Sequence, residues 1–413
     1  MSTKKIKKRN SEMNYKTLEV FGPEHEFSIV NEQLTPLSIS DVLIKQISGK
    51  IKNSISFPGF VLSKELQKHV IELKAIMPFH SPKIFEETMH NAVATVLDIF
   101  DKNNFKLLGL GMHPTLSLHE AEVWNHEDRE VYEAFDTIFG IRQHGWINIQ
   151  SYQLNIPFQD EAEAIKLYNV LAKILPYIPA ISSASPIYES KIGEYVDNRL
   201  YFYRINQAKI PSITGEIIPE PIDSFETYYN LTIRKYSRDL LNAKAPDFLI
   251  NKEWINSRGA IFRFDRNAIE IRIMDEQECI KSDVALSCFI RALLRGLMML
   301  ETNEYEIFNR PRSKLVKDLN IIIRNGLNAR IDHDKFQTAR DICRYLYKIA
   351  YENASKEEKN YLWIIKKRIE KGNLSEIISR TVYERARKTD LNEAIIQTYT
   401  KLTENLRRNN IYF

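Results

Sequence analysis

The sequence predicts an α+β fold, a largely antiparallel sheet with packed helices followed by a helical C-terminal segment. Three observations predict it. Short β-rich runs punctuated by Pro and Gly recur up to about residue 300. Stretches with apolar residues at three- and four-residue steps lie between them. Beyond residue 300 the chain reads as helices alone.

Taken in order, residues 1–14 (MSTKKIKKRNSEMN) read as a disordered basic tail, 15–300 as the α+β domain, and 301–413 as a helical segment packed on it. The strand-like runs are LEVFGPEHEFSIV, KLLGLGMHP, WINIQSYQLNIPF, IFRF and AIEIRIMD, with a turn at Phe57-Pro58-Gly59. Strict alternation in Ile147-Asn148-Ile149 and from Ala268 to Ile273 marks half-buried strands. SPKIFEETMHNAVATVLDIFDKNN and EAEAIKLYNVLAKILP read as helices, the second stopped by Pro176. In the C-terminal part SKLVKDLNIIIRN, TARDICRYLYKIAYENA, EEKNYLWIIKKRIEKG and LNEAIIQTYTKLTENLRRN follow, with Gly326 and Gly372 where C-caps belong.

Composition narrows the function. The chain has 413 residues, 58 Lys+Arg against 54 Asp+Glu, and 44% hydrophobic residues. That is too apolar for a disordered chain, and no uncharged run is long enough to span a bilayer. Lys4, Lys5, Lys7, Lys8 and Arg9 outweigh the whole surplus of +4, so the remainder is near neutral and a nucleic-acid surface is not indicated. Cys279, Cys288 and Cys343 match no zinc or redox spacing and read as small hydrophobes in a reducing cytoplasm.

Three constellations carry chemistry. In GPEHEFSIV the two-residue period puts Glu24 and Glu26 on one strand face, where their repulsion calls for a cation between them. In LSKELQKHVIELK, Glu65 and Glu72 are seven apart, a separation that returns to one side of a helix but divides between the faces of an uninterrupted strand. In AIEIRIMD, Glu270 and Arg272 share a face, and Arg258 and Arg263 just before them concentrate positive charge. Carboxylates for divalent ions together with arginines for anions are what ATP-dependent activation of a carboxylate requires. No phosphate-binding G-x-x-x-x-G-K-[ST] loop is present, so a nucleotide must be held by another architecture.

In order and spacing, GPEHEFSIV, ELQKHVIELK, GLGMHP, LPYIPAISSASPIYESKIG and RGAIFRFDRNAIEIRIMD resemble glutamate-cysteine ligase family 2, ATP-dependent carboxylate-amine ligases related in fold to glutamine synthetase. NGLNARID and EKGNLSEIISR extend the resemblance into the C-terminal helices. It implies a curved, largely antiparallel sheet of the glutamine synthetase type that holds ATP and Mg²⁺. It also implies Glu24, Glu26, Glu65, Glu72 and Glu270 as metal ligands, and Arg272 on phosphate or on the substrate carboxylate. Arg199 and Arg258 are expected as further anion-binding catalytic residues, and Arg263, Gln153 and Asn155 beside the nucleotide. Where the family has an H-V-H-V strand this chain reads Gln153-Leu154-Asn155-Ile156, so amides replace imidazoles; their carbonyl oxygens can meet Mg²⁺ but lack a base. The expected function is amide formation through an acyl phosphate, with glutamate or another carboxylate and an amine such as cysteine as substrates. The expected setting is the cytoplasm, with no membrane and with a homodimer as the assembly the resemblance implies. The amides support a second reading, a nucleotide-binding member that senses or scaffolds.

Overall fold

The computed structural model describes residues 15–101, 103–299 and 309–413, so the expected tail of residues 1–14 lies outside the described residues. Its centre is one antiparallel sheet. The strands are β1 (Gly22–Val30), β2 (Ser54–Phe57), β3 (Phe60–Lys64), β4 (Val70–Ala75), β5 (Lys106–Leu108), β6 (Ser151–Pro157), β9 (Ala260–Arg263) and β10 (Ala268–Asp275). Their order is β2-β3-β4-β1-β6-β10-β9, and β5 continues the β6 side of β1 at Ser28–Val30. A small separate hairpin joins β7 (Ile187–Tyr188) and β8 (Lys191–Ile192).

Alternation along each strand separates two faces. His25, Phe27 and Ile29 of β1, Ile71 and Leu73 of β4, Leu154 and Ile156 of β6, and Ile269 and Ile271 of β10 are fully buried on the apolar face. Against it pack α1 (Pro82–Asp101), α3 (Glu161–Ile174) and α4 (Ile280–Met298). The shorter α2 (Arg129–Phe139) stands over the other side, where Phe135 meets Trp146 and Trp254. The C-terminal helices are α5 (Arg312–Asn325), α6 (Ala339–Asn353), α7 (Lys356–Lys371), α8 (Leu374–Ala386) and α9 (Leu391–Arg408). α6 and α7 pack on α4, while α8 and α9 share a second apolar cluster with Leu108 and Leu110. Among the described residues no helix is long and apolar enough to cross a membrane.

Two local expectations change. Ile147-Asn148-Ile149 is not a strand: residues His144–Ile147 make one helical turn and β6 begins at Ser151. The Asn148 side chain takes the place of a ladder partner, accepting from the His113 N–H at 2.7 Å and donating to its carbonyl at 3.0 Å. The segment from Glu65 to Glu72 is not a helix either. β3 and β4 pair antiparallel with Ser63 opposite Glu72, and Glu65 sits just past the end of β3. The composition break near residue 300 also falls after α4, which lies against the sheet and, buried nearly all round, is the hub for α6 and α7 as well.

Candidate active site

The open face of the sheet gathers the predicted acids because cross-strand partners point the same way. Glu26 lies directly opposite Glu72, Glu24 opposite both Lys74 and Gln153, and Glu270 opposite Asn155. Glu65, extending the face beyond β3, completes a set of five carboxylates drawn from β1, the β3–β4 segment and β10. A register shift between Ile271 and Met274 distorts the end of β10, and Arg272 lies at that irregularity.

Neighbouring cations hold part of this charge. The Arg266 guanidinium pairs with Glu24 at 2.6 Å, Lys74 with Glu72 at 2.5 Å, and Glu270 is flanked by Arg263 and by Arg272, the latter at 3.0 Å. Burial pushes the Glu24 carboxyl up, but the charges of Arg266 and Lys74 outweigh it and hold the group at about 2. The other acids go the opposite way. Burial and the Glu72 charge raise Glu26 to about 7, burial and the Glu26 charge raise Glu65 to about 7, and burial and the Glu24 charge raise Glu72 to about 8. At these three acids burial and mutual repulsion thus outweigh the pull of the nearby cations.

The two amides face the acids with their nitrogens. Gln153 donates to Glu26 at 3.1 Å, and Asn155 donates to Glu24 at 3.0 Å and to the Gly22 carbonyl at 3.1 Å. The amide N–H groups thus donate to the carboxylates, which accept. The buried Asn155 Oδ1 has no donor of its own. Ser151 adds two bonds to Glu26, from its N–H at 2.7 Å and its hydroxyl at 3.0 Å.

Beside the acids opens a cavity of about 510 Å³. Glu26, Glu65, Arg199 and Arg272 lie on its polar side, and Tyr132, Phe135, Trp146, Tyr203 and Trp254 form an aromatic wall. Arg199 is held there by Asp275, whose Oδ1 accepts from its Nε at 2.5 Å. Asp275 also takes the Ala184 N–H at 2.6 Å and the Ser185 hydroxyl at 2.7 Å, and its carboxylate packs where a Cβ on Gly111 would stand. The G-L-G-M and S-A-S-P segments therefore serve one purpose, closing around the carboxylate that aims Arg199.

Arg258 is not brought to the acids. Its guanidinium makes two bonds to Glu220, at 2.6 and 2.9 Å, and lines a different cavity. The alternation that put Glu270 and Arg272 on one face carries no information about Arg258, which precedes β9 and turns toward the Gly215 segment. Sequence reading also missed Lys74, Arg266 and Ser151. Lys74 is legible once β4 is recognised, two residues from Glu72 on the same face, and Arg266 occupies the β9–β10 turn.

The sequence from residue 20 to 398 matches the family model for glutamate-cysteine ligase family 2. This chain belongs to that family. A relative from Archaeoglobus fulgidus, described as an uncharacterized protein, is 46% identical over 393 residues, covering 95% of this chain and all of its own. Glutamate-cysteine ligase from Francisella tularensis, solved in complex with AMP, superposes with a TM-score of 0.60 at 14% identity, covering 96% of this chain and 90% of that one. A bifunctional glutathione synthetase from Pasteurella multocida gives 0.60 at 12% identity, covering 94% and 52%. The fold is thus that of the glutamate-cysteine ligases, as the motifs implied, and the family supports a ligase of the carboxylate-amine type.

Proposed function

We propose that this family member is an ATP-dependent ligase that joins glutamate, or a carboxylate like it, to an amine such as cysteine through an acyl phosphate. The observation that carries this reading is the convergence of five glutamates on one sheet face beside a cavity holding Arg199 and Arg272. The acids fit Mg²⁺: they offer only oxygen donors, burial and mutual repulsion disfavour the ionised forms of Glu26, Glu65 and Glu72 until a cation joins them, and Asn155 Oδ1 adjoins them without a partner. Glu24, Glu26, Glu65, Glu72 and Glu270 would hold it, and when bound it neutralises phosphate oxygens and the charge that builds on the leaving group.

The chain's own residues divide the remaining work. A substrate carboxylate oxygen attacks the γ-phosphorus of ATP, ADP leaves, and an amine then displaces phosphate from the acyl carbon to give the amide. Arg272, anchored by Glu270 and by the Asn256 carbonyl at 3.0 Å, presents its guanidinium to an anionic oxygen in the cavity. Arg199, fixed by Asp275, positions a second anionic group. Arg263 and Arg266, on the β9–β10 hairpin, lie on the acid side and face the nucleotide. The AMP of the Francisella complex supports a nucleotide as ligand of this fold.

The test is release of ADP and phosphate from ATP with Mg²⁺ and glutamate, with cysteine and a panel of other amines, products identified by mass spectrometry. Amine-dependent turnover giving a new amide is expected. ATP binding without turnover under every pairing would sink the ligase reading in favour of a nucleotide-binding sensor. The observation behind that second reading is that Gln153 and Asn155 supply donors to Glu26 and Glu24 where a family histidine would offer a base.

A further inference from the structure

On the opposite, apolar face of β1, between Glu24 and Glu26, His25 points into the core and meets two more acids. Its Nδ1 lies 3.1 Å from Glu276 Oε1 and 3.6 Å from Asp283 Oδ2, and all three side chains are fully buried. Nothing in the ligase reading uses these residues.

Most other fully buried acids are answered by a cation or by several donors, as Asp197 is by the Leu200 N–H at 2.7 Å and the Ser183 hydroxyl at 3.2 Å. Glu270, Asp275, Glu278 and Glu358 each have an arginine within ion-pair distance. Among the described residues, Glu276 and Asp283 have no Lys or Arg there, only His25. Neither oxygen of the buried Asp283 carboxylate meets a well-aligned donor, and the Glu276 carboxyl lies against it, so the two acids repel unless a proton or a cation is held between them. Buried carboxylates are ordinarily paired or bound to a metal, because leaving the charge uncompensated costs several kcal/mol.

We infer that His25, Glu276 and Asp283 form a structural site for one divalent transition ion of the zinc or manganese class. The distances fit such an ion. Ligands about 2.1 Å from a cation stand about 3.0 Å apart at octahedral angles and about 3.4 Å at tetrahedral ones; the two measured here are 3.1 and 3.6 Å, and the three ligand atoms lie within 4.8 Å of one another. His25 Nδ1, Glu276 Oε1 and both Asp283 oxygens supply four donors, and two-fold use of Asp283 satisfies both of its free oxygens. One imidazole among carboxylates favours a borderline ion over Mg²⁺. Glu276 Oε2 accepts the Glu26 N–H at 3.3 Å, so the ion ties β1, the segment after β10 and the first turn of α4 together directly behind the open-face acids.

The experiment is elemental analysis of the full chain purified without chelator and dialysed against EDTA. One equivalent of zinc or manganese per chain is expected, reduced to background in Asp283→Asn and unchanged in Glu189→Gln, a partly exposed surface carboxylate outside both sets of acids. A wild-type chain without stoichiometric transition metal, or an Asp283→Asn chain that keeps it, overturns the site. If Asp283→Asn does not fold, the wild type decides: unfolded with chelator, refolded metal-free and then saturated with Mg²⁺ so that the open-face acids are occupied, its Tm should rise further with equimolar Zn²⁺ or Mn²⁺, and a Tm that neither ion moves overturns the site. Neither readout depends on ATP turnover, so this site and the ligase reading fail separately.

Discussion

The acids of the open sheet face and those beneath the C-terminal helices are the same residue type put to opposite uses. Glu358 on α7 is closed: Arg291 at 2.7 Å and Arg295 at 3.0 Å hold it, and the Ser355 N–H donates to it at 2.7 Å. Burial pushes its carboxyl up, but the Arg295 hydrogen bond and the Arg291 charge outweigh that and hold it at about 2. Glu26, Glu65 and Glu72 are open: burial and mutual repulsion hold them at about 7 to 8, and their cations do not balance them. Where every charge is answered the acid stabilises the fold, and where acids are left in excess the fold carries a cost that a ligand can relieve.

The sharpest way to break this contrast is to neutralise one acid of each kind. Glu26→Gln should lower ATP turnover by at least about 100-fold, since it removes a proposed ligand of the Mg²⁺ that would neutralise transition-state charge, while thermal denaturation shows a stability within about 1 kcal/mol of wild type. Glu358→Gln should do the reverse, costing about 3 kcal/mol because the buried Arg291 and the half-buried Arg295 lose their partner, with the turnover of the folded fraction retained. A Glu26→Gln chain that unfolds would erase the distinction. The same pair gives a pH test. Glu358 has a depressed carboxyl, so its stabilisation is present above the ordinary value of 4.5 and lost as pH falls toward about 2. The stability gap between wild type and Glu358→Gln should therefore narrow across that window in denaturant titrations, and a gap constant from pH 5 to about 2.5 would contradict the assignment.

Arginines sharpen the contrast at an intermediate level. Arg258 is a closed partner of Glu220, and Arg272 is an open one on the cavity wall. Arg258→Leu is expected to cost about 2 kcal/mol, since Glu220 is half-buried and keeps only the more distant Arg312 at 3.8 Å, and to leave the folded protein's KM and kcat in place. Arg272→Lys keeps a charge but loses the planar fork, and is expected to reduce kcat by about 10-fold or more at little cost in Tm. Kinetics and melting curves on the two variants separate the roles, and loss of kcat in Arg258→Leu would return Arg258 to the site.

These two arginines also mark how far the sequence could be read. Period-two alternation in GPEHEFSIV and AIEIRIMD gives the faces of β1 and β10, so Glu24, Glu26, Glu270 and Arg272 were legible from local pattern. Glu65 and Glu72 were legible as acids but not as a strand pair, because the turn between them lacks the Gly or Pro that would announce it. Arg258 looked equivalent to Arg263 because distance along the chain does not say which way a loop residue turns. α4 is buried nearly all round, its polar Ser282, Asp283, Ser287 and Arg291 included, so the usual division into an apolar and a solvated face does not describe it. Asp275, the carboxylate that gathers Gly111, Ser185 and Arg199, is one acid at the end of a strand, and no local pattern distinguishes it.

The smallest expected effect lies at Arg266, the most exposed of the cations on the open face. Its side chain is 38% accessible and sits on the β9–β10 turn, so its pair with Glu24 is worth less than about 1 kcal/mol to the fold. If this cation only holds Glu24 until a better partner arrives, Arg266→Gln should leave Tm within about 2 °C of wild type and free Glu24 for a divalent ion. Mg²⁺ alone, followed by calorimetry, should then bind a few-fold tighter to the variant. ATP should bind a few-fold weaker, because a guanidinium that leaves Glu24 is no longer there to meet phosphate. Opposite movement of the two affinities is the signature of an exchangeable partner. Equal weakening of both would mean that Arg266 shapes the face rather than yielding to its ligands.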